Sequence, residues 1–114
     1  MKHWNNVTTF LFSALLLAAL PMPLLAKGDP AAGQSKAQVC QACHGLDGKS
    51  IAPIYPNLAG QHEDYLVKAL ADYRAGRRTN AIMAPMAVNL SNQDIEDLAA
   101  WFASQEGLKD LSIK

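Results

Sequence analysis

Cys40-Gln41-Ala42-Cys43-His44 constrains this chain more than any other run of residues. Two thiols three positions apart, followed at once by a histidine, form a C-x-x-C-H motif. That spacing suits the covalent attachment of a c-type haem. The thiols of Cys40 and Cys43 add across two vinyl groups on one porphyrin edge, and His44 then offers a ring nitrogen to the iron as proximal ligand. A chain built on such a site leaves the hard chemistry to its cofactor and supplies binding, orientation and tuning.

Three rival readings of the pair are a disulfide, a zinc site and a thioredoxin-like redox couple. Zinc needs about four ligands. The chain has only these two cysteines and three histidines, the other two being His3 and His62. A thioredoxin-type pair belongs beside a βαβ pattern, and no strand-like alternation surrounds Cys40.

The N-terminal segment bears on where such chemistry would take place. Lys2 and His3 precede an apolar run from Phe10 to Leu20, which Pro21 and Pro23 interrupt before Leu24-Leu25-Ala26. This is the layout of a secretory signal peptide over residues 1–26. It leaves one domain over 27–114 and an expected periplasmic location. The alternative is an uncleaved leader holding the protein on the periplasmic side of the inner membrane. Export and haem attachment agree, because free cysteine pairs oxidise outside the cytoplasm unless they are used. A domain this short is marginal if it must build a core alone, and a covalent haem supplies the missing core.

Ten basic and ten acidic residues balance. That balance gives no sign of the basic face a nucleic-acid binder needs, and no small-molecule substrate is expected. The mature chain reads as all-α. A first helix is expected from Asp29 to about Ala42, with Asp29 as N-cap and Pro30 in its first turn. Gly33 lies inside it at about 1 kcal/mol relative to alanine, a residue kept where another backbone or ring comes close. A second helix is expected over His62–Ala75, with Leu66, Ala69, Leu70 and Tyr73 in one stripe and Gly76 at its end. The third is expected over Asn92–Gln105, capped by Ser91 with Asp94 at N3. Its expected buried face is Ile95, Leu98, Ala99, Phe102 and Ala103, widened by Trp101. The loops Gly45–Gly60 and Arg77–Leu90 are long for so small a domain, as loops that serve a site are.

The iron's sixth position is open to Met83, Met86 or His62, and spacing does not choose between the methionines. Thioether sulfur paired with histidine is the ligation of electron-transfer proteins. Arg77 and Arg78 are candidates to pair with a haem propionate, since guanidinium suits carboxylates. Tyr65, Tyr73 and Lys49 read as packing or surface residues. Ile51, Ala52, Ile54, Tyr55, Ile82, Ala84, Pro85, Ala87 and Val88 could frame an apolar porphyrin edge.

Residues 29–106 resemble a class I cytochrome c and are similar to one half of the bacterial dihaem cytochrome c4 type and its monohaem relatives. The resemblance rests on Gly33, on Cys40–Gly45 and on Tyr55-Pro56-Asn57-Leu58-Ala59-Gly60-Gln61. It rests further on Met83-Ala-Pro-Met86, and on Leu90–Ile95 running into Leu98-Ala-Ala-Trp101-Phe102. It implies a small fold of three main helices, with long loops wrapped around one covalent haem. It also implies Met83 as the ligand in preference to Met86, and the Pro56 carbonyl on the second ring nitrogen of His44. Gly33 is then where the first helix crosses the last, against Trp101. The implied function is single-electron transport in a respiratory chain, not enzyme catalysis. The implied partners are a membrane quinol-oxidising complex and a terminal oxidase or reductase, met as a monomer or weak dimer. The alternatives are a peroxidase-like or gas-binding haem domain with a displaceable sixth ligand, and a haem subunit of a larger oxidase or reductase.

Overall fold

A computed structural model describes residues 27–107; the leader over 1–26 lies outside the described residues. Within them the chain forms five helices and no strand: α1 (Pro30–Lys36), α2 (Gln38–His44), α3 (Glu63–Arg74), α4 (Met83–Ala87) and α5 (Asn92–Ala103).

The first expected helix is two. Asp29 caps α1, its carboxylate accepting from the Ala31 N–H at 2.9 Å, and Pro30 opens the first turn. At Ala37 the ladder tightens: the Cys40 and Gln41 N–H groups both donate to the Ala37 carbonyl, at 2.9 Å. One donor thus reaches back only three residues, as in 3₁₀ geometry. α2 then runs on to His44, beyond the expected end at Ala42. The break lets α1 stay on α5 while α2 leaves in a new direction carrying Cys40, Cys43 and His44.

α3 and α5 fall close to expectation. His62 and Ala75 cap α3, with Glu63 and Asp64 in its first turn where the helix dipole favours acids. Ser91 and Asp94 form a reciprocal capping box at the start of α5. The second long loop departs from expectation because it contains α4. The Asn80 side-chain oxygen accepts from the N–H groups of both Ile82 and Met83 at 2.9 Å, nucleating a short helix. Pro85 sits in the first turn, where a missing N–H leaves no gap in the ladder.

α1 crosses α5 so closely that a Cβ on Gly33 would lie 2.0 Å from the Asp97 carbonyl oxygen and 2.7 Å from the Trp101 Cβ. Beside this contact Asp97 is 2% exposed. Its carboxylate accepts from the Asp29 N–H at 2.9 Å, from Lys36 Nζ at 2.6 Å and from Gln93 Nε2 at 2.8 Å. Lys36 also pairs with Asp94 at 2.8 Å. The expected α5 face held only the apolar part of this. Ile95, Leu98, Ala99 and Phe102 are buried, Ala103 is half-buried, and Asp97 and Ala100 join the core. Ala37, Leu66, Leu98, Ala99 and Phe102 make the central cluster, with Cys40, Leu58 and Leu70 packed against it. The 45–60 loop is tied down by the Gly48 carbonyl, which accepts from Leu58 and Ala59, and by the Gly60 N–H, which donates to Phe102.

Gly33→Ala drives a methyl group into backbone that cannot move aside. Loss of about 1–3 kcal/mol is expected, read as a lower guanidinium midpoint of the haem-loaded protein. Lys36, Ser91 and the Ser91 N–H hold the Asp94 carboxyl at about 2. Burial pushes Asp97 up, but the Asp29 N–H, Lys36 and Gln93 together outweigh it and leave it below the ordinary range. Both groups are depressed on folding, so their stabilisation is complete above an ordinary carboxylate pKa of about 4 and is lost as pH falls through the folded values. The melting temperature is expected to drop steeply from about pH 4 downward, and Asp94→Asn should flatten that slope.

Candidate functional site

The five helices enclose one deep, largely apolar cleft, with about 1040 Å³ of empty space including its open mouth. Cys40 and His44 reach it from α2; Pro56, Asn57 and Leu58 from the first loop; Met83 and Met86 from α4; Leu98, Ala99 and Phe102 from α5. Cys43 is one turn from Cys40 on the same face of α2, half-buried and not in the cleft wall.

His44 is the buried polar group of this wall, 5% exposed. Its Nδ1 lies 2.9 Å from the Pro56 carbonyl oxygen. A carbonyl only accepts, so Nδ1 carries the proton, and the Nε2 lone pair is left for another partner. This is the orientation in which an outer carbonyl holds a metal-ligating histidine and makes it more basic. Gly45, at φ +81°, turns the chain sharply as α2 ends, and a Cβ there would lie 2.0 Å from the Lys49 carbonyl oxygen.

The cysteines are not joined in a disulfide. Burial pushes the Cys40 thiol up, away from the reactive thiolate of a redox couple. Among the described residues no three His, Cys, Asp or Glu side chains come together as a metal site.

Both methionines line the cleft, but they differ in cover. Met83 is half-buried, whereas Met86 is 50% exposed. His62 is exposed at the α3 cap and lies outside the cleft wall. The two arginines also separate. Arg77 donates to Asp72 at 2.8 Å and is absent from the cleft wall. Arg78 belongs to that wall, with its Nη1 3.3 Å from the Tyr65 hydroxyl and its guanidinium 4.8 Å over the Tyr73 ring. Tyr65 and Tyr73, read from sequence as packing or surface, therefore belong to the site. Their spacing through Ala69, two steps of four on one helix face, was the available signal. Of the expected rim, Ile51, Ile54, Ile82 and Val88 are well exposed, but Ala87, the last residue of α4, is fully buried.

The sequence pattern of the cytochrome c family matches residues 30–106. The chain belongs to the cytochrome c family. It is 53% identical over 96 residues to cytochrome c4 of Pseudomonas aeruginosa, a match covering 84% of this chain and 48% of that one. It is 52% identical over 82 residues to cytochrome c-554(548) of Halomonas halodenitrificans, covering 69% of this chain and 99% of the relative. The crystal structure of reduced cytochrome c4 from Pseudomonas stutzeri superposes with a TM-score of 0.67 at 50% identity, over 71% of this chain and 47% of that one. The chain spans about half the length of the cytochrome c4 proteins it matches.

The family's cofactor is covalent haem c with its iron. The cleft fits that group on its own terms: it is apolar, it holds a buried histidine with a free Nε2, and it presents a cysteine and a soft methionine sulfur to the same space.

Proposed function

We propose that residues 27–114 form a monohaem domain acting as a single-electron carrier in the periplasm, exported by the 1–26 leader. It would move electrons between a membrane quinol-oxidising complex and a terminal oxidase or reductase. The observation that carries this is the buried His44, fixed by Pro56 in the ligating tautomer and sharing one apolar cleft with Met83. Cys40 and Cys43 would hold the haem by thioethers and His44 and Met83 would ligate its iron, Met86 being the more exposed of the two methionines. Of the arginines, Arg78 is the one placed for a propionate.

When bound, haem iron supplies a reversible one-electron change between ferric and ferrous states. The protein's share is to keep that change easy. Leu66, Leu70, Leu98 and Phe102 line the cleft with apolar surface, so little solvent would need to reorganise around a bound haem. The Pro56 carbonyl keeps His44 oriented, and the sulfur of Met83 would favour the reduced state of a bound iron. With His44 and Met83 both holding the iron, no position would be left there for a substrate, which favours a carrier over a peroxidase-like enzyme.

Docking would be brief. Residues 50–62 and 79–93 contain no Asp, Glu, Lys or Arg, and they expose Ile51, Ile54, Ile82 and Val88. A charge-free apolar rim meets a partner without steering or desolvating ions.

The ferric protein is expected to show the weak sulfur-to-iron charge-transfer band, and the reduced protein to ignore carbon monoxide. Met83→Ala should abolish the band and admit carbon monoxide, while Met86→Ala should leave both unchanged. A native protein that binds carbon monoxide rapidly would mean an accessible iron and end the carrier reading. Ile51→Lys and Val88→Lys are expected to slow electron delivery to the membrane acceptor, measured by stopped flow, without moving the spectrum. Unchanged rates would remove the rim from the docking surface.

A further inference from the structure

His44 is held from the 45–60 loop at two points. The Pro56 carbonyl lies 2.9 Å from its Nδ1. The Tyr55 ring stands edge-on to the imidazole, with centroids 6.4 Å apart and planes at 62°. The first contact fixes which nitrogen carries the proton, and the second restrains the plane of the ring. Both come from adjacent residues in a stretch without helix or strand. Such a stretch keeps a carbonyl in place only where it is itself tied.

The tie nearest these contacts is Asn57. Its side-chain oxygen accepts from the Ser50 N–H at 2.7 Å, across seven positions of sequence. A backbone N–H only donates, so the amide oxygen, and not its nitrogen, faces Ser50. An asparagine that merely shaped a turn would bond its own backbone two residues on. This one closes the whole 50–57 segment at its neck. Inside it, Ser50 Oγ donates to the Ala52 carbonyl at 2.6 Å and the Tyr55 N–H donates to the same carbonyl at 3.0 Å. The carbonyl that meets His44 belongs to the peptide unit between Pro56 and Asn57. The proline ring restricts the backbone on one side of that unit, and the clasp to Ser50 restricts it on the other.

We propose that Asn57 is a positioning residue for the proximal ligand: by clasping Ser50 it holds the Pro56 carbonyl on the Nδ1 proton of His44, and so sets how strongly His44 would donate to a bound iron. This rests on the haem reading above. An outer hydrogen bond of this kind orients a histidine and strengthens it as a ligand, which favours the ferric state. Releasing the clasp would let the carbonyl drift and the reduction potential rise.

The test uses the haem-loaded protein and the variants Asn57→Leu, Asn57→Asp and Ser50→Ala. Deuterium exchange of the His44 Nδ1 proton is followed by NMR in the reduced state, and the reduction potential is measured alongside. Asn57→Leu keeps the size and removes the acceptor. It is expected to speed the exchange about fivefold to tenfold, the effect of one lost hydrogen bond, and to raise the potential. Asn57→Asp keeps the acceptor and should retain the native exchange rate; it is read by exchange alone, because its charge shifts the potential by itself. Ser50→Ala loosens the loop but leaves the Ser50 N–H to Asn57, and should exchange like the native protein. Native exchange and potential in Asn57→Leu would overturn the proposal while leaving the carrier reading standing. Equal acceleration in Ser50→Ala would overturn it too, since the general order of the loop would then hold the carbonyl. Asn57 is exposed, so its replacement leaves the core in place. If Asn57→Leu still does not mature, the native protein decides. Its Ser50 amide and His44 Nδ1 protons are expected to exchange through one opening, with the same response to low guanidinium. A Ser50 amide that exchanges freely while the ring proton stays protected would overturn the clasp. A native protein without a haem spectrum would sink the carrier reading and this assignment together.

Discussion

The crossing of α1 and α5 at Gly33 is the contact on which the rest of the molecule depends. It brings the two ends of the described chain together with backbone against backbone, a distance only a residue without a Cβ permits. The same crossing buries Asp97 and gives it three donors, one of them the backbone of the α1 cap. A buried carboxylate in such a position is costly unless fully paired. Its pairing therefore ties the helix cap, Lys36 and α5 into one unit. With the ends locked, Leu98, Ala99 and Phe102 present a fixed floor to the cleft.

The break at Ala37 follows from that lock. A straight helix from Asp29 to His44 would have to serve α5 along its whole length. By tightening one turn, the chain leaves α1 on α5 and lets α2 carry Cys40 and His44 to the cleft. Pro56 then fixes the imidazole by a single hydrogen bond from twelve residues away. Because the acceptor is a backbone carbonyl, no side-chain exchange at that position removes it, provided the loop keeps its course. The Gly48 carbonyl, bonded across the loop to Leu58 and Ala59, and the Gly60 N–H, bonded to Phe102 on α5, hold that course.

Charge is placed with the same economy. Among the described residues the acids Asp72, Asp94 and Asp97 are each matched by a lysine or arginine on the outer or helix-crossing side. The cleft mouth is left almost free of ions. Arg78 is the exception, and its isolation from carboxylates gives it meaning that a paired arginine would lack.

Much of this was legible before any coordinates. The capping signals of Asp29 and Ser91, the glycine after α3 and the apolar stripe of α5 are local, set by hydrogen bonds and periodicity within a few residues. C-x-x-C-H is likewise local and named its own cofactor. The single helix drawn from Asp29 to Ala42 failed because its break answers to packing against α5, which no local signal encodes. The 77–90 segment hid a helix because Asn80 supplies its first donors with an acceptor, a choice that turn residues leave open. Asp97 does not stand out in the sequence, and Tyr65 and Tyr73 read there only as packing or surface residues. Their roles depend on which distant groups arrive beside them. The sequence by itself thus determined α3 and α5 with their caps, the attachment motif and the family of the chain. Only the tertiary structure decided which arginine enters the cleft, which methionine is the more covered and which acid is buried. Those are contacts between residues far apart in the chain, and they exist only once α1 has closed on α5.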